Sequence, residues 1–496
     1  MRRSAPQLWP ELLAASVFLG WWIYSALAAL SQTWTGDVHL YLAGLAELER
    51  APWHPRHEAM DVPGSQSALY TPYLVGLSIL ARIGGLSPLG ALRVGAVFNL
   101  ALYAVSALWF FRHFSRHRSS VVPAAAFLIA SGLLRDRMFI WSSDTSVASL
   151  RFVAAYPSTF AFGLAMLILG LARALLEGWE GWGRPVALAG LLALVYLSHA
   201  LTGSFVLVAL AAMSLVSEGP RRGRISLGLA AIAGLILALA WPYYDVLGHR
   251  AYLRVAEGAP FVGKEVSSFY RAALLAILAL VASPDRGRYV SLVAAWGATL
   301  TALVMLEALG VSYAARFAFF GAFFLFVLAA EGVADAVTTW RRAPLWSASY
   351  LAIFAILALT TPGLRDQQRH GRPMLAAWEL WSAPPPESPI SQQAEQIAGL
   401  LLPGDRIMMP VDHLSFDLAS LSGARVVLSP FADRVEDAVE RRADVDRFFD
   451  EATPSDERRR ILERWRVSVI VAPKSAVLGM IGGAGTEVGG YRVSRL

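Results

Sequence analysis

The stretch LLAASVFLGWWIYSALAAL, residues 12–30, is an unbroken apolar run that follows the basic start Met1-Arg2-Arg3. As one helix it is long enough to cross the hydrocarbon core of a bilayer, which is about 30 Å thick. It exceeds the length of a signal-peptide core, and no small-residue cleavage site follows it, so we expect a retained signal anchor. The run predicts that the chain enters a membrane at its first helix.

The composition of the whole chain favours the same class of protein. Of 496 residues, 56% are hydrophobic and 16% are charged, and the mean hydropathy is +0.49; soluble proteins carry about 25% charged residues. The absence of cysteine excludes disulfides, thiolate nucleophiles and cysteine-ligated zinc. The net charge of +6 does not indicate nucleic acid as a partner, because the basic residues cluster in short loops. The chain is predicted to be a polytopic α-helical membrane protein.

Short basic loops set the expected orientation, since such loops face the cytoplasm. They lie at 112–118, 221–224, 285–288 and 341–342. About eleven transmembrane helices satisfy this constraint and place the C-terminal region outside. The predicted spans are 11–31, 89–111, 121–134, 156–176, 185–198, 201–217, 225–245, 270–283, 289–308, 314–338 and 344–361.

The apolar segment 69–85 would reverse this alternation if it crossed the membrane. We therefore expect it to form a helix on the outer face, or one that dips into it, although the pattern leaves a crossing open. The predicted domains are a transmembrane domain at 1–364, with a long first outer loop at 32–88, and an extracytoplasmic α/β domain at 365–496.

The C-terminal region has the alternating pattern of a small α/β sheet after the stiff linker Ala383-Pro384-Pro385-Pro386. Strands are expected at 406–409, 424–428 and 467–471, with 491–494 as an edge strand. Helices are expected at 390–402, 414–421, 435–449 and 455–465.

The segment Thr35-Gly36-Asp37-Val38-His39 follows the first apolar run directly. Asp37 could be a general base, or a carboxylate beside a metal, at the boundary between water and membrane. It could equally cap a helix over 38–48 by accepting that helix's free amide hydrogens. Both interpretations stay open at this point.

Further polar residues precede Leu69 in the same loop. His39, His57 and Glu58 belong to a cluster that can bind a divalent cation or position sugar hydroxyls, or that simply forms a solvated loop. The spacing within 54–58 is not that of a helical zinc motif, so the metal signal is weak. Tyr70-Thr71-Pro72-Tyr73 opens the next apolar segment, and its tyrosines can wall a sugar or lipid groove or anchor the chain at the interface.

Two cationic positions stand at the outer ends of later spans. His199 joins two short spans, where it can bind a phosphate or sugar or cap a helix. Arg316 opens a late span, where its guanidinium fork can bind a lipid phosphate or extend to the interface.

These features together resemble the GT-C superfamily of membrane glycosyltransferases. The resemblance rests on Gly36-Asp37 after the first span, the long outer loop ending in Tyr70-Thr71-Pro72-Tyr73, the short spans around His199, Arg316-Phe317, and the outer α/β domain. It implies transfer of a sugar from a polyprenyl-phosphate-linked donor to a glycan, lipid or protein acceptor in cell-envelope glycan biosynthesis, with inversion. Asp37 would then assist the attack of the acceptor. The residues expected to bind substrate or lipid phosphate are His39, His57, Glu58, Tyr70, Tyr73, His199 and Arg316.

The chain departs from the family's pattern at Asp37, which belongs to no Asp-Glu or Asp-x-Asp pair. No cofactor is therefore certain, and a divalent cation, Mg or Mn with Asp37 as a ligand, stays open. The expected partners are membrane lipid, the lipid-linked donor and the acceptor. The high arginine, alanine and glycine content favours a GC-rich genome, and hence a bacterial inner membrane.

Two other functions remain as alternatives. A transporter or lipid flippase would place polar groups near the middle of the membrane and show repeated halves. The charges noted within spans, Glu307 and Arg316, lie near span ends, and no repeat is evident. A non-catalytic assembly protein would use the C-terminal domain as its binding module.

Overall fold

The computed structural model of the protein describes residues 5–30, 37–62, 67–115, 117, 119–134, 150, 153–178, 181–246, 268–283, 286–309, 311, 316–361, 392–430, 432, 435–475 and 485–496. Gly36 and the linker 383–386 lie outside these residues. The chain divides into two compact units. The membrane unit comprises 1–34, 95–241 and 245–385, and the α/β unit comprises 35–94, 242–244 and 386–496.

The described part of the chain is mostly helical. In chain order the helices up to residue 361 are α1 Ala5–Leu30, α2 Val38–Arg50, α3 Pro72–Gly84, α4 Pro88–Phe114, α5 Val121–Leu133, α6 Pro157–Leu176, α7 Gly183–Ser198, α8 Ala200–Val216, α9 Arg221–Leu239, α10 Tyr270–Ala282, α11 Val290–Ala308, α12 Arg316–Thr339 and α13 Pro344–Leu359. A short 3₁₀ helix, Arg286–Tyr289, precedes α11.

Apolar helices confirm the prediction of a polytopic α-helical membrane protein. Among the described residues, six helices are long and apolar enough to cross a bilayer: α1, α4, α6, α9, α11 and α12. Six further apolar helices are shorter, including α3. Each predicted span overlaps a helix; whether the shorter ones cross stays a prediction. The span predicted at 225–245 is displaced, since α9 begins at Arg221 and ends at Leu239, ahead of Pro242.

The centre of the membrane unit is α12, which is almost wholly buried. It packs against α5, α8, α10, α11 and α13. Its phenylalanines interlock with those of other helices: Phe320 stacks on Phe205 with ring centroids 4.6 Å apart, and Phe323 meets Phe110 edge-on at 5.4 Å. Aromatic contacts of this kind add to the stabilisation from apolar burial. The fold of the unit is therefore organised around one aromatic helix.

The same helix carries two buried carboxylates that the sequence analysis overlooked. Glu331 and Asp335 are one turn apart on α12 and almost fully buried. His117 Nε2 lies 2.9 Å from Asp335, and the Tyr289 hydroxyl donates to Glu331 at 3.2 Å. Buried charges need partners of this kind. The contacts tie the loop after α4 and the 3₁₀ helix to α12.

The α/β unit contains a five-stranded mixed sheet and further helices. The remaining elements are α14 Gln392–Ala398, β1 Arg406–Met408, α15 Leu414–Ser422, β2 Arg425–Val426, α16 Ala438–Phe449, α17 Ser455–Arg464, β3 Val469–Pro473, β4 Thr486–Val488 and β5 Tyr491–Arg495. The strand order is β2-β1-β3-β5-β4. β1 is parallel to β2 and β3, whereas β5 is antiparallel to β3 and β4. The α/β prediction is confirmed.

One strand assignment was wrong. We expected 491–494 to be an edge strand, but β5 lies between β3 and β4, so β4 is the edge. β4 is three residues long and two of its side chains are exposed. The sequence therefore lacks the alternation of apolar and polar residues by which a strand is recognised. The hairpin turns at Gly489, whose φ of +56° is one that glycine adopts without strain.

The loop predicted to follow the first span packs in the same unit as the C-terminal sheet. Met60 forms a parallel bridge with Val426, and the Val426 amide donates to the Ala59 carbonyl at 2.9 Å. Thus the loop adds to the β2 edge of the sheet. The domain prediction assigned this loop to the 1–364 domain, whereas the compact unit joins it to 386–496.

A buried ion pair fixes this junction. Arg425 pairs with the Glu47 carboxylate and donates to the carbonyls of His57 and Glu58 at 2.9 and 3.0 Å. The second oxygen of Glu47 accepts from the Arg56 amide at 2.9 Å. Both charged side chains are almost fully buried. These contacts either lie within the first loop, as between Arg56 and Glu47, or connect that loop to Arg425 of β2.

We expect Arg425→Ala to lower the free energy of unfolding by about 3–5 kcal/mol, because it leaves the Glu47 charge buried without its partner. Thermal and denaturant unfolding of the detergent-solubilised protein measures this. The matched control is Arg492→Ala, which breaks an exposed pair with Glu487 and should cost no more than about 1 kcal/mol. Equal losses from the two variants would contradict a structural role for the buried pair.

Candidate functional site

Asp37 lies immediately before α2 and is exposed. Its backbone carbonyl accepts from the Tyr41 amide at 3.2 Å, but its side chain makes no capping hydrogen bond to the helix. The capping interpretation therefore does not account for this carboxylate. Its role as a general base stays a prediction.

His39, in the first turn of α2, contacts α15. Its Nδ1 lies 2.5 Å from Oδ1 of Asp417, a carboxylate that is almost fully buried. The hydrogen bond and the charge of Asp417 raise the pKa of His39 above its usual 6.5, against the opposing effect of burial. The pair is therefore an ion pair over a wider pH range than a free histidine would allow.

Sequence reasoning missed Asp417. It lies 378 positions from His39, inside a segment that reads only as a short amphipathic helix. No local pattern connects the two residues, so the only available signal was a polar residue on the face of a helix predicted to pack.

His57 and Glu58 are buried within the first loop. His57 Nδ1 accepts from the amides of Ala59 and Met60 at 3.2 and 3.3 Å, and its Nε2 lies 3.7 Å from Glu58. These contacts shape the turn that presents Ala59 and Met60 to β2. A substrate-binding role for either side chain stays a prediction.

Tyr70 and Tyr73 are buried at the start of α3. The Tyr70 hydroxyl donates to the Arg56 carbonyl, and its ring lies 6.5 Å from that of Tyr243, between centroids. Burial and nearby carboxylates raise the pKa of Tyr70 well above its usual value, so it remains a neutral donor. Thr71 caps α3 by accepting from the Leu74 amide at 3.2 Å. The tyrosines therefore lie inside the α/β unit, and their predicted place in a groove wall stays a prediction.

His199 separates α7 from α8 in the membrane unit. Its Nδ1 accepts from the Thr202 amide at 3.3 Å and lies 2.7 Å from the Thr202 hydroxyl, so it caps α8. The capping interpretation is what the structure shows. Because Nδ1 is an acceptor here, Nε2 carries the ring proton and can donate to an anion or sugar.

Arg316 begins α12, and its charge acts electrostatically on His199. The two positions predicted from separate parts of the sequence are thus close enough in the membrane unit for the charge of Arg316 to act on His199. A guanidinium fork and the Nε2–H of a neutral imidazole are donors that suit a phosphate.

The structure thus sorts the predicted residues into two groups. Asp37, His39, His57, Glu58, Tyr70 and Tyr73 belong to the α/β unit, and His199 and Arg316 belong to the membrane unit. Within the described ranges, no three histidine, aspartate or glutamate side chains are arranged to hold a metal ion.

No protein-family model and no curated protein sequence matches the chain. Several solved structures are similar to the chain. ArnT from Cupriavidus metallidurans bound to undecaprenyl phosphate has a TM-score of 0.57 at 13% identity, over 99% of this chain and 98% of that one. The archaeal oligosaccharyltransferase AglB from Archaeoglobus fulgidus, in complex with an inhibitory peptide and a dolichol-phosphate, has 0.55 at 12% identity, over 92% and 69%.

The arabinofuranosyltransferase AftD from Mycobacteria has a TM-score of 0.57 at 15% identity. All of this chain is covered, but it spans only 40% of the AftD chain. These three neighbours are GT-C glycosyltransferases. At these identities the likeness concerns architecture, and it confirms the resemblance drawn from the sequence: the chain is an integral membrane protein with the GT-C fold.

Proposed function

We propose that the protein transfers a sugar from a polyprenyl-phosphate-linked donor to a glycan, lipid or protein acceptor at the outer face of the membrane. The observation that carries the proposal is Asp37, an exposed carboxylate directly after the first apolar helix that does not cap α2. In the GT-C fold, the resemblance assigns an acidic residue at this place to the attack of the acceptor.

The neighbours support the donor class. ArnT was solved with undecaprenyl phosphate and AglB with a dolichol-phosphate. Both ligands are polyprenyl phosphates, in which an apolar chain carries a phosphate. An enzyme for such donors must hold the chain in an apolar environment and the phosphate among donors of hydrogen bonds, which the membrane unit and the Arg316–His199 pair can provide.

The proposed reaction is a single displacement at the anomeric carbon. The acceptor forms a bond to this carbon and gives its proton to Asp37, while the bond from the carbon to the phosphate oxygen breaks and leaves its electron pair on the phosphate. Hydrogen-bond donors around the phosphate would stabilise the charge that develops there. Attack opposite the leaving group inverts the anomeric configuration.

His39, His57, Glu58, Tyr70 and Tyr73 remain proposed substrate-binding residues. Of these, His39 keeps part of its ring exposed, whereas His57, Glu58 and Tyr70 are enclosed by the first loop. The enclosed three would act by holding the loop that carries the site, which also agrees with their observed contacts.

A divalent cation has support from one neighbour. An AglB structure was solved with zinc and sulfate, at a TM-score of 0.52 and 15% identity. The described residues of this chain do not gather a matching donor set around Asp37, so no step is assigned to a metal. Whether transfer requires Mg or Mn is decided by adding EDTA to the assay below.

The buried pair Glu331 and Asp335 is the observation that would favour transport, since carboxylates inside membrane bundles often carry protons or ions. Their contacts with His117 and Tyr289 give them a structural role. Transfer therefore remains the proposed function. Uptake by proteoliposomes without a covalent product would support the transporter instead.

We expect Asp37→Asn to lower the transfer rate by at least about 10²–10⁴-fold, the contribution of a general base. The assay follows label leaving a panel of radiolabelled polyprenyl-phosphate sugars, with purified protein in detergent, with and without EDTA. Glu487→Gln, an exposed carboxylate change on β4, is the matched control and should retain full activity. Full activity in the Asp37 variant would remove it as the base.

We expect Arg316→Ala to lower kcat/KM for the lipid donor by about 10- to 100-fold, the loss of a hydrogen bond to a charged group. Arg316→Lys should recover part of the loss, because it keeps the charge but not the planar fork. Arg222→Ala, at an exposed position in the first turn of α9, is the control for charge alone. Unchanged kinetics with the alanine variant would exclude Arg316 from phosphate binding.

We propose that the membrane is a bacterial inner membrane and that the α/β unit is extracytoplasmic. The chain has no cysteine, so single cysteines report orientation without background. We expect Val439→Cys, at a highly exposed position of α16, to react with an impermeant maleimide in intact bacterial spheroplasts. Glu218→Cys, exposed just before the basic first turn of α9, should react only after lysis. The reverse pattern would invert the proposed orientation.

A further inference from the structure

An apolar crevice opens between α10 and α11 in the membrane unit. Both helices pack along α12, with little direct contact between their described residues. The space that they leave has a volume of about 350 Å³ and is lined by apolar side chains: Leu280, Val290, Val293 and Ala294. The last three recur at the spacing that places them on one face of α11, whereas Leu292 and Ala295 on its other face are buried. The crevice therefore follows from the way in which α10 and α11 share α12.

The crevice lies far along α12 from Arg316. The hydroxyl of Tyr289, which precedes Val290 in the chain, donates to Glu331 at 3.2 Å, and this contact fixes the level of the crevice on α12. Glu331 is about 22 Å from Arg316 along the helix axis, at 1.5 Å per residue. A lipid head group beside this crevice is therefore not that of a donor whose phosphate is held at Arg316.

The outer surface of the helices around the crevice is apolar. Ile277 and Val281, which flank Leu280 on α10, are exposed, as is Val290 on α11, and in a membrane such side chains meet lipid tails. The volume is at the lower end of the range of about 300–1,000 Å³ for ligand pockets, so it suits part of one acyl chain. Apolar contact does not by itself select a lipid, because lipid tails are as apolar as the side chains that they touch. Selection must come from the head group.

The connections at this end of the helices are basic. The sequence between α10 and α11 is SPDRGRY, residues 283–289, and that between α12 and α13 is WRRA, residues 340–343. Together they contain four arginines and one aspartate. A tryptophan beside arginines is typical of the boundary between hydrocarbon and head groups, and basic sites between helices on the cytoplasmic side bind anionic head groups. The charge therefore favours an anionic lipid over a zwitterionic one.

We propose that this crevice binds an acyl chain of an anionic phospholipid, whose phosphate is held at the basic segment 283–289. The lipid belongs to the leaflet on the side of the basic loops, which the sequence predicts to be cytoplasmic. Its chain fills the gap between α10 and α11 and so connects two helices that otherwise share mainly α12. The site requires no sugar donor and is independent of the proposed transfer.

Lipid binding by the purified protein in detergent tests the selectivity. Phosphatidylglycerol and phosphatidylcholine with the same acyl chains are titrated separately, and bound lipid is counted by native mass spectrometry. We expect one phosphatidylglycerol to bind at least about 10-fold more tightly than phosphatidylcholine, because arginines near the surface attract the anionic lipid. The preference should decline as salt is added. Equal binding of the two lipids would overturn the proposal, because a non-selective lipid layer gives that result.

Val293→Trp tests the crevice itself, because the larger side chain fills the space and leaves the charges unchanged. We expect this variant to lose the selectively bound phosphatidylglycerol, so that the lipid raises the Tm of the wild type but not of the variant. The matched control is Leu229→Trp at an exposed apolar position of α9, which should bind the lipid as the wild type does. The Tm without lipid shows whether each variant is folded. Unchanged binding by Val293→Trp, or an equal loss in the control, contradicts the site.

Two further measurements identify the head group. Arg286→Gln combined with Arg288→Gln should abolish the preference for phosphatidylglycerol and leave phosphatidylcholine binding unchanged. The same double change at Arg221 and Arg222, in the first turn of α9, should keep the preference. A preference that survives the loss of Arg286 and Arg288 would refute the basic segment as the phosphate site.

Undecaprenyl phosphate is titrated in the same way to distinguish the two sources of a lipid phosphate. We expect Val293→Trp to leave its binding unchanged, because the donor's phosphate belongs at the other end of α12. If Val293→Trp weakens the binding of undecaprenyl phosphate more than that of phosphatidylglycerol, the crevice holds the donor lipid and the assignment to a membrane phospholipid is wrong.

Discussion

The buried ion pair between Glu47 and Arg425 is the constraint on which the α/β unit depends. A charge removed from water is tolerated only with full compensation, and here each partner's remaining groups are also used, by the Arg56 amide and by the His57 and Glu58 carbonyls. These contacts set the path of the first loop and bring Met60 against Val426. The loop that carries Asp37 is consequently built on a sheet whose strands come from the far end of the chain.

The helices of the membrane unit are specified by other contacts, because burial of apolar side chains within lipid does not by itself determine which helices pack together. Two kinds of contact determine the helix partners here. Interlocking phenylalanines centre the bundle on α12, and hydrogen bonds such as those from the Tyr350 hydroxyl to the carbonyls of Leu275 and Ala329, each at 3.1 Å, specify neighbours. The buried contacts of Glu331 and Asp335 belong to this second kind.

Periodicity predicted what depends on near neighbours in sequence. The spans, the helices at 414–421 and 455–465 and the strand at 406–409 follow from local apolar patterns, and each overlaps an observed element. β4 escaped because its three residues have no such pattern. Glu331 and Asp335 were visible as two carboxylates four residues apart in an apolar run, and were missed. The pairing of Met60 with Val426 and of Glu47 with Arg425 depends on tertiary packing, which no local pattern encodes.

Three histidines of the candidate residues also differ in whether their hydrogen-bond partners are near or distant in sequence. His57 and His199 each use Nδ1 to accept an amide two or three residues ahead, a local geometry that made helix capping a natural alternative for His199. Accepting an amide keeps Nδ1 unprotonated and makes Nε2 the donor. His39 instead places Nδ1 against a carboxylate 378 positions away, and this partner favours a proton on both nitrogens. The sequence shows three similar side chains, but their hydrogen-bonding roles differ because their partners differ, and only folding brings the distant partner to His39.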